Sequence, residues 1–443
     1  MTTPVEQQYI NSHPGSADRA SVAKDLFPDG VTHDARRLNP FPLYVTHASG
    51  SYKWDVDGNR IIDYRTGHGS MILGHSHPDI VAAVTNQISK GTMHSASTDL
   101  EILWGQLVRE LIPSAEKVRF HSSGTEATMM GIRMARAYTG KTKIIKFDDH
   151  FHGWSDYLVA GSDGLGGIPQ ETLSTMIVLP PNDISIVEHT LQNNSDIAAI
   201  ILEPTGAHMG LFPIRPSFLN ELREVTEKYN VILMFDEVVS GFRTSKGGAQ
   251  AYYGVTPDMT TMAKILGGSL PGGAVSGKAD IINMIETRND PVWNKTRRIA
   301  HNGTFNANPL SAAAGTTALN LVKTTPVNEI TDARGKRLKE GLNDLLSRME
   351  IQGCANGLDS LVFLRLGVDA ENADIEKNTN ALEAIHKASN SMIEHQLSLA
   401  LLNHGVDSGT RFILSMAHSE KDIDDTVDAI EKALTDIRQE GLI

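Results

Sequence analysis

The sequence predicts an α/β fold: a mainly parallel sheet sandwiched by helices, plus a smaller α+β domain from the N- and C-terminal segments. Three observations predict it. From about residue 78 to residue 264, short apolar runs alternate with helical stretches, as in strands buried on both faces. Ahead of that region, "SYKWDVDGNRIIDY" alternates around Asp57-Gly58, a two-residue hairpin signal. Beyond residue 325, long amphipathic helices alternate with single apolar strands. The expected organisation is an N-terminal segment 1–70 that packs with the small domain, a large domain 71–325 and a C-terminal small domain 326–443. A chain of 443 residues has room for both.

The elements follow in order. "PDIVAAVTNQISK" opens with proline and keeps helical spacing. "KVRFHS" (117–122) reads as a strand, "GTEATMMGIRMARAY" (124–138) as a helix and "KTKIIKF" (141–147) as a strand. The runs "STMIVL" (174–179), "IAAIILE" (197–203) and "VILMFDE" (231–237) are strands, the last two separated by the helical "SFLNELREVTEKY". A long helix at about 327–349 leads to the strand "LVFLRL", another helix, the strand "FILSMA" and a final helix. Ser419 and Asp422 make a capping box for that last helix.

Composition narrows the function classes. The shares of hydrophobic (40%) and charged (21%) residues are those of an ordinary globular protein. No stretch has the apolar length that spans a bilayer, and the polar opening "MTTPVEQQYINSHPGSADRA" lacks a signal-peptide pattern, so a cytoplasmic location is expected. A net charge of −13 argues against nucleic acid or an anionic membrane as partner. The single cysteine, Cys354, rules out an intrachain disulfide and a thiolate metal cage. His75 and His77 in "GHSHP" are spaced i, i+2 in a turn and offer too small a ligand set, so no metal site is expected.

In open α/β sheets ligands sit at the carboxyl ends of the strands. The strand ending at Ser122 runs into "SSGTEA", a small-residue turn opening a helix, where free N–H groups suit a phosphate. The strand ending at Phe147 leads to "DDHFHGW", with Phe151 in a loop. The strand 231–237 places Asp236 at its apolar tip, where a carboxylate needs a facing cation or donor. Lys264 ends the following strand, beside the glycines of "GGSLPGG". A lysine capping a strand end commonly points into water. Pyridoxal 5′-phosphate accounts for all four features together: it needs a lysine for a Schiff base, an acid for its ring nitrogen, a phosphate cradle and a flat packing partner.

Along nearly its whole length the chain resembles the class III pyridoxal-phosphate aminotransferases of fold type I. It is most like the branch holding glutamate-1-semialdehyde aminomutase, D-phenylglycine aminotransferase and β-phenylalanine aminotransferase. The motifs are "WDVDGNRIIDY", "LGHSHP", "SSGTEA", "FHGWSD", "EPTG", "FDEVVSGFR", "AKILGGSLPGG" and "HNGTFNANP". The resemblance implies that Lys264 forms the Schiff base and Asp236 pairs with the pyridinium nitrogen. Phe151 and Val238 would pack on opposite ring faces, and Ser123, Gly124 and Thr125 would hold the phosphate. His152 and Glu203 would be further cofactor contacts. Thr304 would reach the phosphate of a neighbouring subunit, which makes the expected assembly a homodimer with shared sites. Arg36 occupies the position at which this branch binds a substrate carboxylate, for which a bidentate guanidinium is suited; a solvated loop arginine is the other reading.

The chain departs from the aminomutase at the substrate end. His208 stands where the aminomutase has asparagine, and Thr410 and Arg411 stand in a stretch where it has an acidic residue. These changes favour ordinary transamination between an amino acid and an oxo acid, with His208 and Arg411 as substrate contacts. The aminomutase activity is the alternative. A nucleotide-binding α/β protein is a third reading, but it leaves Asp236 and Lys264 unexplained and lacks the glycine fingerprint after the first core strand.

Overall fold

A computed structural model describes residues 2–443. The chain forms two compact units, Met1–His77 with Glu329–Ile443, and Pro78–Asn328.

The first unit opens with two helices, Pro4–Ser12 and Pro14–Leu26, each begun by proline. The Thr3 side chain caps the first by accepting from the Glu6 N–H. Three strands follow, β1 (Val45–Ser49), β2 (Tyr52–Asp55) and β3 (Arg60–Asp63). Asp55 Oδ1 fixes the β2–β3 turn by accepting from the N–H groups of Asp57 (3.0 Å) and Asn59 (2.7 Å).

The second unit holds β4 (Lys117–His121), β5 (Lys143–Phe147), β6 (Met176–Leu179), β7 (Ile197–Leu202), β8 (Ile232–Asp236), β9 (Met259–Ala263) and β10 (Gly273–Gly277). They form one sheet in the order β4-β10-β9-β8-β7-β5-β6. β10 runs antiparallel to both its neighbours, and the pairings from β9 to β6 are all parallel. Every residue of β7, β8 and β9 is buried, which is why these segments read as unbroken apolar runs. Successive side chains of β8 go to opposite faces. Met234 joins Met130 and Met134 of the helix Gly124–Thr139, whereas Leu233 and Phe235 join Phe218 and Leu222 of the helix Pro216–Tyr229.

The C-terminal segment adds β11 (Gly353–Asn356), β12 (Leu361–Leu366), β13 (Val406–Asp407) and β14 (Arg411–Ile413). β12 is central in a three-stranded antiparallel sheet with β11 and β14. β13 pairs parallel to β3, so segments some 340 residues apart share one sheet and one core, including Tyr9, Ile61, Leu401, Phe412 and Ile430. The final helix, Glu420–Gln439, starts with the Ser419–Asp422 capping box expected from the sequence. Between β12 and β14 the sequence predicts one helix and the chain forms two, Ala381–Ala388 and Ser391–Asn403. The break lies at Ser389–Asn390, where the Asn390 side chain accepts from the N–H groups of Met392 and Ile393 and starts a second helix.

Candidate functional site

The chemistry-bearing residues of the second unit collect at one end of its sheet. Asp236, the last residue of β8, is in register with Thr261 of β9. Ala263 ends β9 opposite Gly273, and Gly273 in turn faces His121 at the end of β4. The turn 122–124, Asp236 and Lys264 therefore emerge from the same edge, with the segments after β5 and β7 beside them.

Asp236 is buried, and donors surround it. His152 Nδ1 lies 2.7 Å from Oδ2; the Val238 N–H (3.0 Å) and the Thr261 hydroxyl (3.3 Å) donate to Oδ1. A carboxylate only accepts, so the Nδ1 tautomer of His152 carries the hydrogen. Burial pushes the His152 pKa down, against the pull of Asp236. The other ring nitrogen, Nε2, is buried without a hydrogen-bond partner among the described residues. Thr128 Oγ1 anchors the main chain of this loop by donating to the His152 carbonyl at 2.7 Å.

Glu203 follows β7 and is also buried. Its Oε1 accepts from the N–H groups of Phe151 (2.9 Å) and His208 (3.1 Å), and its Oε2 from that of Met209 (3.1 Å). Burial and the nearby Asp236 charge raise its pKa to about 7 in spite of these donors. The Glu203 N–H donates to His150 Nδ1 at 2.9 Å. The Phe151 ring is exposed and lies nearly parallel to the His208 imidazole, at 18° with centroids 6.4 Å apart.

Lys264 directly follows β9 with φ 53°, a left-handed conformation rare for a side chain of this length. Burial lowers its pKa; Asp236 and Glu203 oppose the shift and the fully buried Arg243 adds to it. An amine held below its ordinary pKa is a better nucleophile and base at neutral pH.

Ser123 caps the helix Gly124–Thr139 by accepting from the Glu126 N–H at 3.2 Å. A Cβ at Gly124 would stand 3.1 Å from both Val238 methyls and 3.5 Å from Ala263 Cβ. A Cβ at Gly153 would collide with Thr125 at 2.5 Å, and its φ is 89°. These two glycines bring Val238, Lys264's neighbour Ala263 and the His152 loop against the start of the helix. Ser123, Gly124, Thr125, Phe151, His152, Glu203, His208, Asp236, Val238 and Lys264 thus form one constellation within this unit.

Thr304 lies elsewhere in the unit, on the exposed turn after His301 that borders an open groove of about 1040 Å³. Arg119 donates from Nε to His301 Nδ1 (2.9 Å) and from Nη2 to the His301 carbonyl (3.1 Å) at the base of that turn.

Arg36 and Arg411 belong to the first unit. Arg36 closes a short 3₁₀ turn, donates to Thr32 Oγ1 at 2.8 Å and borders a cavity of about 460 Å³ with Lys53, Arg65 and His68. Arg411 is exposed at the start of β14, with Arg65 a second cation near it and Glu394 its acidic neighbour. His75, for which the sequence suggested no acidic partner, has Nε2 2.7 Å from Asp63 Oδ2. The correction comes from β-sheet topology: Asp63 ends β3, and Lys53 Nζ of β2 holds its other oxygen at 2.9 Å. The ammonium fills the place a cation would take. His13, Asp55 and Asp57 also come together, but backbone N–H groups and Asn59 engage both carboxylates.

Sequence reasoning missed His150, Thr128, Thr261 and Arg243. His150 had a signal, the two-residue spacing of "HFH" after a strand, which puts two imidazoles around one aromatic. The two threonines carry no signal in isolation, since their role depends on register.

The family model described as Aminotransferase class-III matches residues 33–434. The chain is 38% identical over 429 residues to a glutamate-1-semialdehyde 2,1-aminomutase of Sulfurisphaera tokodaii, covering 94% of this chain and 98% of that protein. Among solved structures, an omega-transaminase from Sphaerobacter thermophilus has a TM-score of 0.88 at 33% identity, covering 97% of this chain and 99% of that one. A β-phenylalanine aminotransferase from Variovorax paradoxus has a TM-score of 0.86 at 28% identity, covering 99% and 98%.

Proposed function

The chain belongs to the class-III aminotransferases, and from that premise we propose that it is an aminotransferase moving an amino group from an amino acid to an oxo acid. Its cofactor is pyridoxal 5′-phosphate. The residues at the sheet edge suit that group on chemical grounds. A buried carboxylate, an amine of lowered pKa and a helix start bounded by glycines lie together. The observation that carries the reading is the pairing of Asp236, held by His152, with Lys264 at the ends of adjacent strands.

When bound, the cofactor supplies an electron sink for the substrate carbon that loses a proton. Lys264 Nζ would attach it covalently and carry that proton. Asp236 would hold a proton on the ring nitrogen, and His152 would orient the carboxylate by donating from Nδ1. Ser123, Gly124 and Thr125 would take the phosphate at the helix start. Thr304 of a second copy would complete that cradle, making the working assembly a dimer. Phe151 and Val238 would flank the ring, with Glu203 behind Phe151. Arg36, His208 and Arg411 are the candidates for substrate carboxylates, because a guanidinium can pair with a carboxylate through two hydrogen bonds and an imidazole N–H can donate one.

A second reading, glutamate-1-semialdehyde 2,1-aminomutase, is favoured by the name that curated relatives at 35–40% identity bear. Arg411 weighs against it, since an isomerase must retain a diamino species and a guanidinium repels ammonium groups. A screen of amino donors against pyruvate and 2-oxoglutarate, with both products quantified, tests the proposal. Equal amounts of new amino acid and new oxo acid are expected; no amino transfer with any donor would count against it.

A further inference from the structure

The geometry points to Glu203 as a positioning residue that locks the Phe151 loop to the left-handed turn carrying His208 and Met209, so that the aromatic face and the neighbouring imidazole move as one body. The inference rests on the aminotransferase reading for its functional meaning, but not for its geometry. Oε1 alone receives the N–H groups of both Phe151 and His208, so a single oxygen joins two segments 57 residues apart in sequence. Oε2 takes the Met209 N–H.

The turn it holds is strained. His208 and Met209 have φ of 52° and 69°, consecutive left-handed residues with side chains, after Gly206 at 96°. That conformation turns two successive N–H groups onto one carboxyl group, and these hydrogen bonds offset the strain. The Glu203 main chain grips the same loop a second time, through its N–H to His150 Nδ1. The near-parallel stacking of Phe151 and His208 is the consequence of this double hold. With three main-chain donors on two oxygens, Glu203 acts on a bound cofactor through Phe151 and His208. The charged groups facing it are Asp236, Lys264 and Lys146, none of which is hydrogen-bonded to it.

Glu203→Gln tests this in the full chain above pH 7, where both Glu203 oxygens accept, both loaded with cofactor and stripped of it. An amide has one accepting oxygen, so at least one of the three N–H groups would face a donor. Hydrogen exchange is the readout. Protection at the Phe151, His208 and Met209 amides should fall together by about tenfold or more, with Ile200 and Leu233 in the sheet unchanged. Glu203→Asp, which keeps both acceptors, should recover part of that protection. If the Gln variant does not fold, the wild type still decides: the three amides should exchange with one common opening free energy. Unchanged protection in the variant, or independent opening of Phe151 and His208 in the wild type, would overturn the inference. A wild type without a cofactor absorption band would sink the aminotransferase reading instead, leaving the exchange result on the stripped chain intact.

Discussion

His152 Nδ1 lies 2.7 Å from Asp236 Oδ2, and both side chains are buried. The carboxylate at the tip of β8 is thus satisfied from behind by an imidazole that the chain delivers from the loop after β5. Replacing Asp236 by Asn keeps the shape but removes the charge that would hold a proton on the cofactor ring. Turnover of Asp236→Asn should fall by about three to four powers of ten, by analogy with other misprotonated sites, with an unchanged circular dichroism spectrum. His152→Gln should lose only about ten- to a hundredfold, as expected of a group acting through another. Equal losses for both would place His152 in direct contact with the reacting atoms.

Lys264→Ala should abolish covalent cofactor attachment. Borohydride reduction of the wild type followed by peptide mass spectrometry should find the pyridoxyl group on the peptide containing Lys264. A label on another lysine would refute the assignment.

Gly153 has φ 89°, and a Cβ there would stand 2.5 Å from Thr125 Oγ1. Gly153→Ala should therefore cost about 1–3 kcal/mol of stability in urea unfolding and displace the start of the helix Gly124–Thr139. The same substitution at the exposed Gly164, where a Cβ meets nothing, carries only the strain of its φ of 79° and should cost less.

Glu203 in the folded chain holds its proton up to about pH 7, against an ordinary value of 4.5. The folded state binds that proton more tightly than the unfolded chain, so its contribution to stability is full below about pH 4.5 and lost as the pH rises through 7. The difference amounts to about 3 kcal/mol. Urea unfolding of the cofactor-stripped wild type and Glu203→Gln should show the wild type losing ground to the variant by about that amount between pH 5 and 8. A gap that stays constant would mean that Glu203 ionises normally.

The sheet was legible because β7, β8 and β9 are buried on both faces and so write continuous apolar runs. Lys264 and Asp236 stood out only together with the small-residue turn at 122–125 and the loop aromatic Phe151, since a lysine alone at a strand end commonly points into water. What stayed hidden depends on contacts between distant segments. Nothing local marks Val406–Asp407 as a partner of β3, or Thr261 as a donor to Asp236. The helices Pro4–Ser12 and Pro14–Leu26 escaped notice because their burial is confined to a few positions such as Val5, Tyr9 and Ala20, a weak stripe in a polar segment. Glu203 stood out as part of "EPTG", but its three main-chain donors did not, because two of them come from left-handed residues that the sequence does not announce and the third from a loop 52 residues away.

Thr304 sits on an exposed turn beside an open groove, held at its base by Arg119 and His301. If a second copy receives that turn, sedimentation should give a dimer or a multiple of one. Thr304→Ala should then weaken cofactor affinity by about tenfold, the value of one hydrogen bond to a charged group. A fully active monomer would contradict the shared cradle.

The decisive measurement is steady-state kinetics with an amino acid and an oxo acid varied together, alongside glutamate-1-semialdehyde supplied alone. An aminotransferase whose His208 and Arg411 favour acids and release the oxo product should give parallel double-reciprocal lines. It should leave the semialdehyde unconverted when no oxo acid is present. Efficient isomerisation of the semialdehyde by itself, without amino transfer to any oxo acid, would contradict the account and make the chain an aminomutase.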